Sequence, residues 1–169
     1  TEEDYLTYVD GKPRYEGVRS FLESRTIDLP HGDPGDAPGD GTVCALGNAK
    51  NDMFNAVLES DGVEPYPDGV ALLDALAETP VRLAVVSSSA NAVAVLEAAG
   101  LMERFEFVMD GRVARERGLA GKPRPDTFLA AAAELDADAA TSVVFEDAVS
   151  GVQAGRNGSF AAVVGVDRT

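Results

Sequence analysis

A chain of 169 residues is long enough for one ordinary domain, or for a small core domain carrying an inserted subdomain. Its 45% hydrophobic and 25% charged residues are the proportions of a soluble globular protein. The net charge of −15 argues against a nucleic-acid partner, whose phosphate backbone is bound by surplus Lys and Arg. It leaves room for a small phosphorylated ligand, because a few local cations and a metal can reverse the field inside one cleft. No apolar run approaches the ~18–20 residues of a membrane span, and the acidic Thr1-Glu2-Glu3-Asp4 start is unlike a signal peptide. The expected home is the cytoplasm, with no membrane partner.

Residues 1–64 read as helices joined by loops, without a convincing strand. Arg14 to Ser24 places Val18, Phe21 and Leu22 on one side, the spacing of a short amphipathic helix. The segment from Gly32 to Gly41 is so rich in Gly, Pro and Asp that a mobile surface loop is expected, and its aspartates lack EF-hand spacing. It follows the single histidine, His31, which argues against Ser-His or Cys-His catalysis. A second helix is expected from Val43 to Ser60, with Met53, Phe54, Val57 and Leu58 as its apolar stripe. The single cysteine, Cys44, allows no internal disulfide or Cys-based zinc cluster; in apolar Val43-Cys44-Ala45-Leu46 it reads as a small hydrophobe.

Residues 65–169 alternate strand and helix. Helix Asp68–Glu78 leads to strand Arg82–Val86, a Ser87-Ser88-Ser89 turn and helix Asn91–Ala99. A strand near Phe105–Met109, a loop and helix Pro125–Leu135 follow. Strand Ser142–Phe145 then ends at Glu146-Asp147, before helix Val149–Arg156 and strand Phe160–Val164. Apolar strands separated by helices indicate an α/β fold, with a parallel sheet and helices on both faces. Such sheets bind ligands at the carboxyl ends of their strands, here after Val86, Met109 and Phe145.

After Val86, Ser87-Ser88-Ser89-Ala90-Asn91 runs from a strand end into a helix start. Serine hydroxyls beside free helix N–H groups suit a phosphate, although one serine serving only as an N-cap gives the same pattern. In Gly121-Lys122-Pro123-Arg124-Pro125-Asp126 the prolines fix an extended approach to a helix. They hold Lys122 either as a charge neutraliser for phosphate or carboxylate, or as a solvated loop lysine. Glu146-Asp147 puts two carboxylates directly after a buried strand. Mg²⁺, which takes one or two carboxylates, waters and substrate phosphate oxygens, is one reason for the pair; capping of the next helix is another.

Taken in order, the three segments resemble the haloacid dehalogenase superfamily, and within it the beta-phosphoglucomutase-like subfamily. Val85-Val86-Ser87-Ser88-Ser89 is similar to its second motif and Gly121 to Asp126 to its third. Phe145-Glu146-Asp147-Ala148-Val149-Ser150-Gly151-Val152-Gln153-Ala154-Gly155 is similar to its fourth, and Tyr66-Pro67-Asp68-Gly69-Val70 to the point where a cap returns to the core. The resemblance implies a Rossmann-like core of residues 65–169, incomplete at both ends, under a helical cap of residues 1–64. It implies phosphoryl transfer on a small phosphorylated metabolite, with Ser87 on the phosphoryl group and Ser88 and Asn91 beside it. Lys122 is implied to pair with that group and the nucleophile, and Asp147 to ligate Mg²⁺ with Glu146 as co-ligand or support. Arg14, in Asp10-Gly11-Lys12-Pro13-Arg14, corresponds to the cap arginine that holds a sugar phosphate's distal phosphate. Related mutases also carry a phosphate-contacting lysine on the second cap helix. Matching through Lys50-Asn51-Asp52 places Ala56 there, so Lys50 or Lys12 takes that role or the substrate differs. A sugar-phosphate phosphatase is then as compatible as a mutase.

The superfamily's first motif, a strand ending in Asp-x-Asp, has no counterpart at the appropriate place. Asp4 and Val9-Asp10 lack the hydrophobic strand before them. In the family these aspartates are the nucleophile and the general acid–base. The expectation is therefore a fragment, poorly stable and without hydrolase activity by itself; the rival reading is a non-catalytic phosphate- and metal-binding module. Halide chemistry explains Glu146-Asp147 less well than a metal does. Mg²⁺-dependent turnover by a verified 169-residue preparation would contradict this expectation.

Overall fold

Polar caps lay out the first sixty residues. In the computed structural model, which describes residues 1–167, Thr1 opens helix α1 (Glu2–Tyr8) through a capping box with Asp4. Bonds from the Arg25 guanidinium, then from the Thr1 hydroxyl and amine, hold the Asp4 carboxyl well below the usual carboxylate range. Helix α2 (Arg14–Ser24) starts after Pro13, and helix α3 (Val43–Asp61) after Thr42, whose hydroxyl accepts from the Ala45 N–H. Gly62, at φ 69°, ends α3. The two longer helices pack together over buried Leu22, Val43, Cys44, Ala45 and Gly47. Cys44 is fully buried, and the lack of solvent pushes its thiol pKa up; it packs as a small hydrophobe.

The segment between α2 and α3, expected to be mobile, is tied down by its own aspartates and carbonyls. Asp36 accepts from the Asp33 N–H and the Thr42 hydroxyl, which keep its carboxyl below the ordinary 3.8. Pro30 and His31 carbonyls accept from the Val43 and Cys44 N–H groups. This unit spans Thr1–Gly62.

The second unit begins at Val63. Its order is α4 (Pro67–Ala77), β1 (Ala84–Val86), α5 (Ala92–Ala98), β2 (Phe107–Met109), α6 (Gly111–Glu116), α7 (Asp126–Glu134), β3 (Val143–Glu146), α8 (Val149–Asn157) and β4 (Ala162–Gly165). Helix α6 falls in a stretch expected to be a loop. Gly111-Arg112-Val113-Ala114-Arg115-Glu116 carries no apolar stripe, and what starts it is a cap: Asp110 accepts from the N–H groups of Arg112 and Val113.

The strands are all parallel, as expected, yet they form two pairs and not one sheet. β1 pairs with β2, Val86 opposite Met109; β3 pairs with β4, Glu146 opposite Gly165. Helix α7 packs on the first pair and α8 on the second, and the two helices touch. Phe128, Val144 and Ala154 form the buried centre, joined by Val86, Phe160 and Val163. Val86 of β1 and Val144 of β3 thus meet in one cluster without a backbone ladder between their strands. Helices were expected on both faces; β3 instead alternates, with Val144 buried and Val143 and Phe145 each 52% exposed.

Phe128 carries this cluster, crossing the Phe160 ring edge-on at 6.0 Å. Replacing Phe128 by Ala is expected to lower unfolding free energy by about 3 kcal/mol. Urea denaturation measures it, and a loss under about 1 kcal/mol would show that the cluster is not the core.

Candidate active site

Three strand ends and one proline-held loop present the polar groups of the second unit. At the end of β1, the Ser87 N–H donates to the Met109 carbonyl, and the Ser89 N–H donates to the Ser87 hydroxyl. The Asn91 N–H in turn donates to the Ser89 hydroxyl. An accepting hydroxyl keeps its own proton to donate, so Ser87 can still give a hydrogen bond to an anion. Ser87, Ser88 and Asn91 are half-buried, and Asn91 precedes α5 without a side-chain cap.

The turn is braced from β2. Asp110, fully buried, bonds the first N–H groups of α6 and the Arg112 guanidinium at 3.1 Å, while the Gly111 N–H donates to the Ser89 carbonyl. Neither residue stood out in the sequence, although the end of this strand did. The available signal was a polar Asp-Gly pair directly after an apolar strand.

Lys122 and Glu146 come from separate motifs and meet. The ammonium donates to Glu146 Oε2 at 2.6 Å, with the two side chains 6% and 7% exposed. Glu146 Oε1 accepts from the Ala148 N–H at 3.1 Å, so both carboxylate oxygens are bound. Lys122 also lies 5.1 Å from the centre of the Phe128 ring. Gly151 makes room for the pair: a Cβ there would fall 2.1 Å from the Glu146 carboxyl carbon. Asp147, next in the chain, is exposed and has no hydrogen bond or ion pair among the described residues.

These facts decide how well the site suits Mg²⁺. Among the described residues no group of three His, Cys, Asp or Glu side chains could hold a metal. Mg²⁺ needs fewer protein ligands, since it keeps several waters and binds through one or two carboxylates together with substrate phosphate. Asp147 meets that requirement as an unengaged carboxylate. Glu146, engaged by Lys122 and Ala148, fits a supporting position behind it.

Arg14 lies in the first unit, at the start of α2. Its Nη1 donates to Asn48 Oδ1 at 3.2 Å and its Nη2 to Asn51 Oδ1 at 2.6 Å. Lys12, one of two lysines considered for a phosphate, donates to the Ser20 hydroxyl at 2.7 Å; Lys50 is exposed on α3.

Residues 3–158 match the haloacid dehalogenase-like hydrolases. The chain belongs to this family. It is 49% identical over 166 residues to a beta-phosphoglucomutase of Mycobacterium bovis, covering 98% of this chain and 63% of the relative. It is 31% identical over 156 residues to the fructose-1-phosphate phosphatase of Escherichia coli K12, covering 92% of this chain and 73% of that protein. A crystal structure of beta-phosphoglucomutase from Clostridium difficile superposes with a TM-score of 0.78 at 21% identity, over 99% of this chain and 70% of that one. The family's Rossmann-like α/β core is therefore the fold of the second unit, and the expected superfamily and mutase-like subfamily are those of the relatives. Among the described residues, no helix is long and apolar enough to cross a membrane.

The buried pair makes a stability prediction. Lys122→Met strands the Glu146 charge and is expected to cost about 3 kcal/mol. Adding Glu146→Leu should restore most of that loss, because the pair is then replaced and not broken. A urea-denaturation double-mutant cycle reads the coupling; additive losses would mean that the 2.6 Å contact carries no energy.

Proposed function

We propose that this chain forms most of a cytoplasmic, Mg²⁺-dependent phosphotransferase for a small sugar phosphate, working through an aspartyl-phosphate. The attacking aspartate is one these 169 residues do not supply; it belongs on a strand that pairs between β1 and β3. The observation that carries the reading is the Lys122–Glu146 bond, which joins the third and fourth motifs beside the strand end that bears Asp147. Support for the added strand comes from β1 and β3, whose side chains share one cluster while their backbones stay unpaired to each other.

In this reading Ser87 donates to an equatorial oxygen of the transferring phosphoryl group. Lys122, held over the Phe128 ring, offers its remaining N–H groups to the same oxygens and to the attacking carboxylate. Asp147 would hold Mg²⁺, with Glu146 supporting it from behind, and the ion would neutralise charge on the phosphoryl oxygens. Ser88 and Asn91 line the phosphate loop. The first unit acts as the cap, where Arg14 takes the substrate's distal phosphate. Lys50 fits the role of second cation better than Lys12, whose ammonium is bonded to Ser20.

Both a mutase and a phosphatase have relatives among the proteins this chain resembles. The departure at Ala56 favours a phosphatase as the second reading. In the full-length protein, ³¹P NMR with beta-glucose 1-phosphate and Mg²⁺ separates them: conversion to the 6-phosphate marks a mutase and release of inorganic phosphate a phosphatase. Asp147→Asn is expected to lower turnover about a hundredfold and to raise the Mg²⁺ needed for half-maximal rate. Unchanged Mg²⁺ dependence in that variant would remove Asp147 from the metal site.

A further inference from the structure

Arg14 is held in a way that most arginines of this chain are not. Arg25, Arg82, Arg104, Arg112, Arg117 and Arg124 each pair with a carboxylate. Arg14 pairs with none among the described residues; its guanidinium donates to two neutral amide oxygens, on Asn48 and Asn51, and lies 5.9 Å from the centre of the Tyr15 ring. A guanidinium fixed by neutral acceptors keeps its whole charge. Of its five N–H groups, these bonds engage two, which leaves three for an anion.

Asn48 is the centre of this arrangement. Its Oδ1 accepts from Arg14 at 3.2 Å and from the Tyr15 hydroxyl at 3.0 Å. Its Nδ2 donates to the carbonyls of Pro34 and Asp36 at 3.1 and 2.9 Å. Three of the four contacts fix one amide orientation, since a flipped amide would set its oxygen against two carbonyls and its NH₂ against the Arg14 guanidinium, while the Tyr15 hydroxyl suits either. The Gly32–Gly41 loop thereby fixes which way Asn48 faces, and Asn48 fixes Arg14. Gly47 admits the neighbouring side chains, as a Cβ there would fall 2.9 Å from the Tyr15 ring.

We propose that Asn48 is the positioning residue of the distal-phosphate site, and that the 32–41 loop belongs to that site through it. This rests on the reading of Arg14 given above. Asn48 does not touch the substrate; it orients the guanidinium and keeps it unneutralised.

The test uses the full-length protein with two probes, beta-glucose 1,6-bisphosphate, which carries a distal phosphate, and p-nitrophenyl phosphate, which does not. Asn48→Asp puts a carboxylate against Arg14 and is expected to raise KM for the bisphosphate about tenfold, the size of one charged hydrogen bond. KM for p-nitrophenyl phosphate should rise far less, and the bisphosphate KM should lose part of its salt dependence, because one cation has been neutralised. Asn48→Ser, which removes the acceptor without adding charge, serves if the aspartate variant folds poorly; its expected change is about threefold, with the salt dependence retained. An Arg14→Ala variant with unchanged bisphosphate KM overturns both the Arg14 reading and this one. A raised KM in Arg14→Ala beside unchanged values in both Asn48 variants overturns the role of Asn48 alone.

Discussion

One buried ion pair constrains the packing around it in the second unit. Removing an ammonium and a carboxylate from water costs several kcal/mol per ion, and the cost is met only when the charges meet closely and their other valences are filled. Lys122 and Glu146 satisfy both conditions, at 2.6 Å, with the Ala148 N–H on the second carboxylate oxygen. Much of the local sequence follows from that. Gly151 must lack a side chain because the carboxyl group occupies its space, and Phe128 offers its ring to the ammonium while filling the core. The same atoms therefore serve stability and the proposed chemistry, so a substitution here changes both.

The two units treat positive charge in opposite ways. Lys122 is balanced by an internal carboxylate, and a phosphoryl group approaching it must share the ammonium with Glu146. Arg14 is met by two amide oxygens and the Tyr15 ring, and by no carboxylate among the described residues. In a chain with a net charge of −15, an arginine without an acidic partner is the less common outcome, and at Arg14 two asparagines and a folded loop accompany it.

Much of the second unit was legible because its strands are short apolar runs closed by polar residues. Val85-Val86-Ser87 and Phe145-Glu146-Asp147 announce both the strand and the polar residues at its end, and the helix from Val149 follows from the small residues behind them. Helix α6 was not legible, since a single capping bond to Asp110 sets it and no apolar period accompanies it. Nor was the arrangement of four strands as two pairs, because an apolar run records that a strand is buried and not which strand lies beside it. Around Arg14 the sequence pointed to the arginine and missed its support. Asn48 and Asn51 lie one helical turn apart on α3, more than thirty positions from Arg14, and only the packing of α2 on α3 unites them. The loop from Gly32 to Gly41 lies at the surface as its composition suggests, but its hold on Asn48 was not legible, because it comes from two carbonyls that any residue could supply.

The central claim is that Ser87, Lys122 and Asp147 form one site at which phosphate and Mg²⁺ bind together. Titrating inorganic phosphate into the full-length protein by calorimetry, with and without Mg²⁺, tests it directly. One shared site requires reciprocal coupling, so Mg²⁺ should tighten phosphate binding by about tenfold or more, and the gain should vanish in Asp147→Asn. Phosphate affinity that is indifferent to Mg²⁺ would contradict the account, because the strand-end residues would then not converge on a single phosphoryl group.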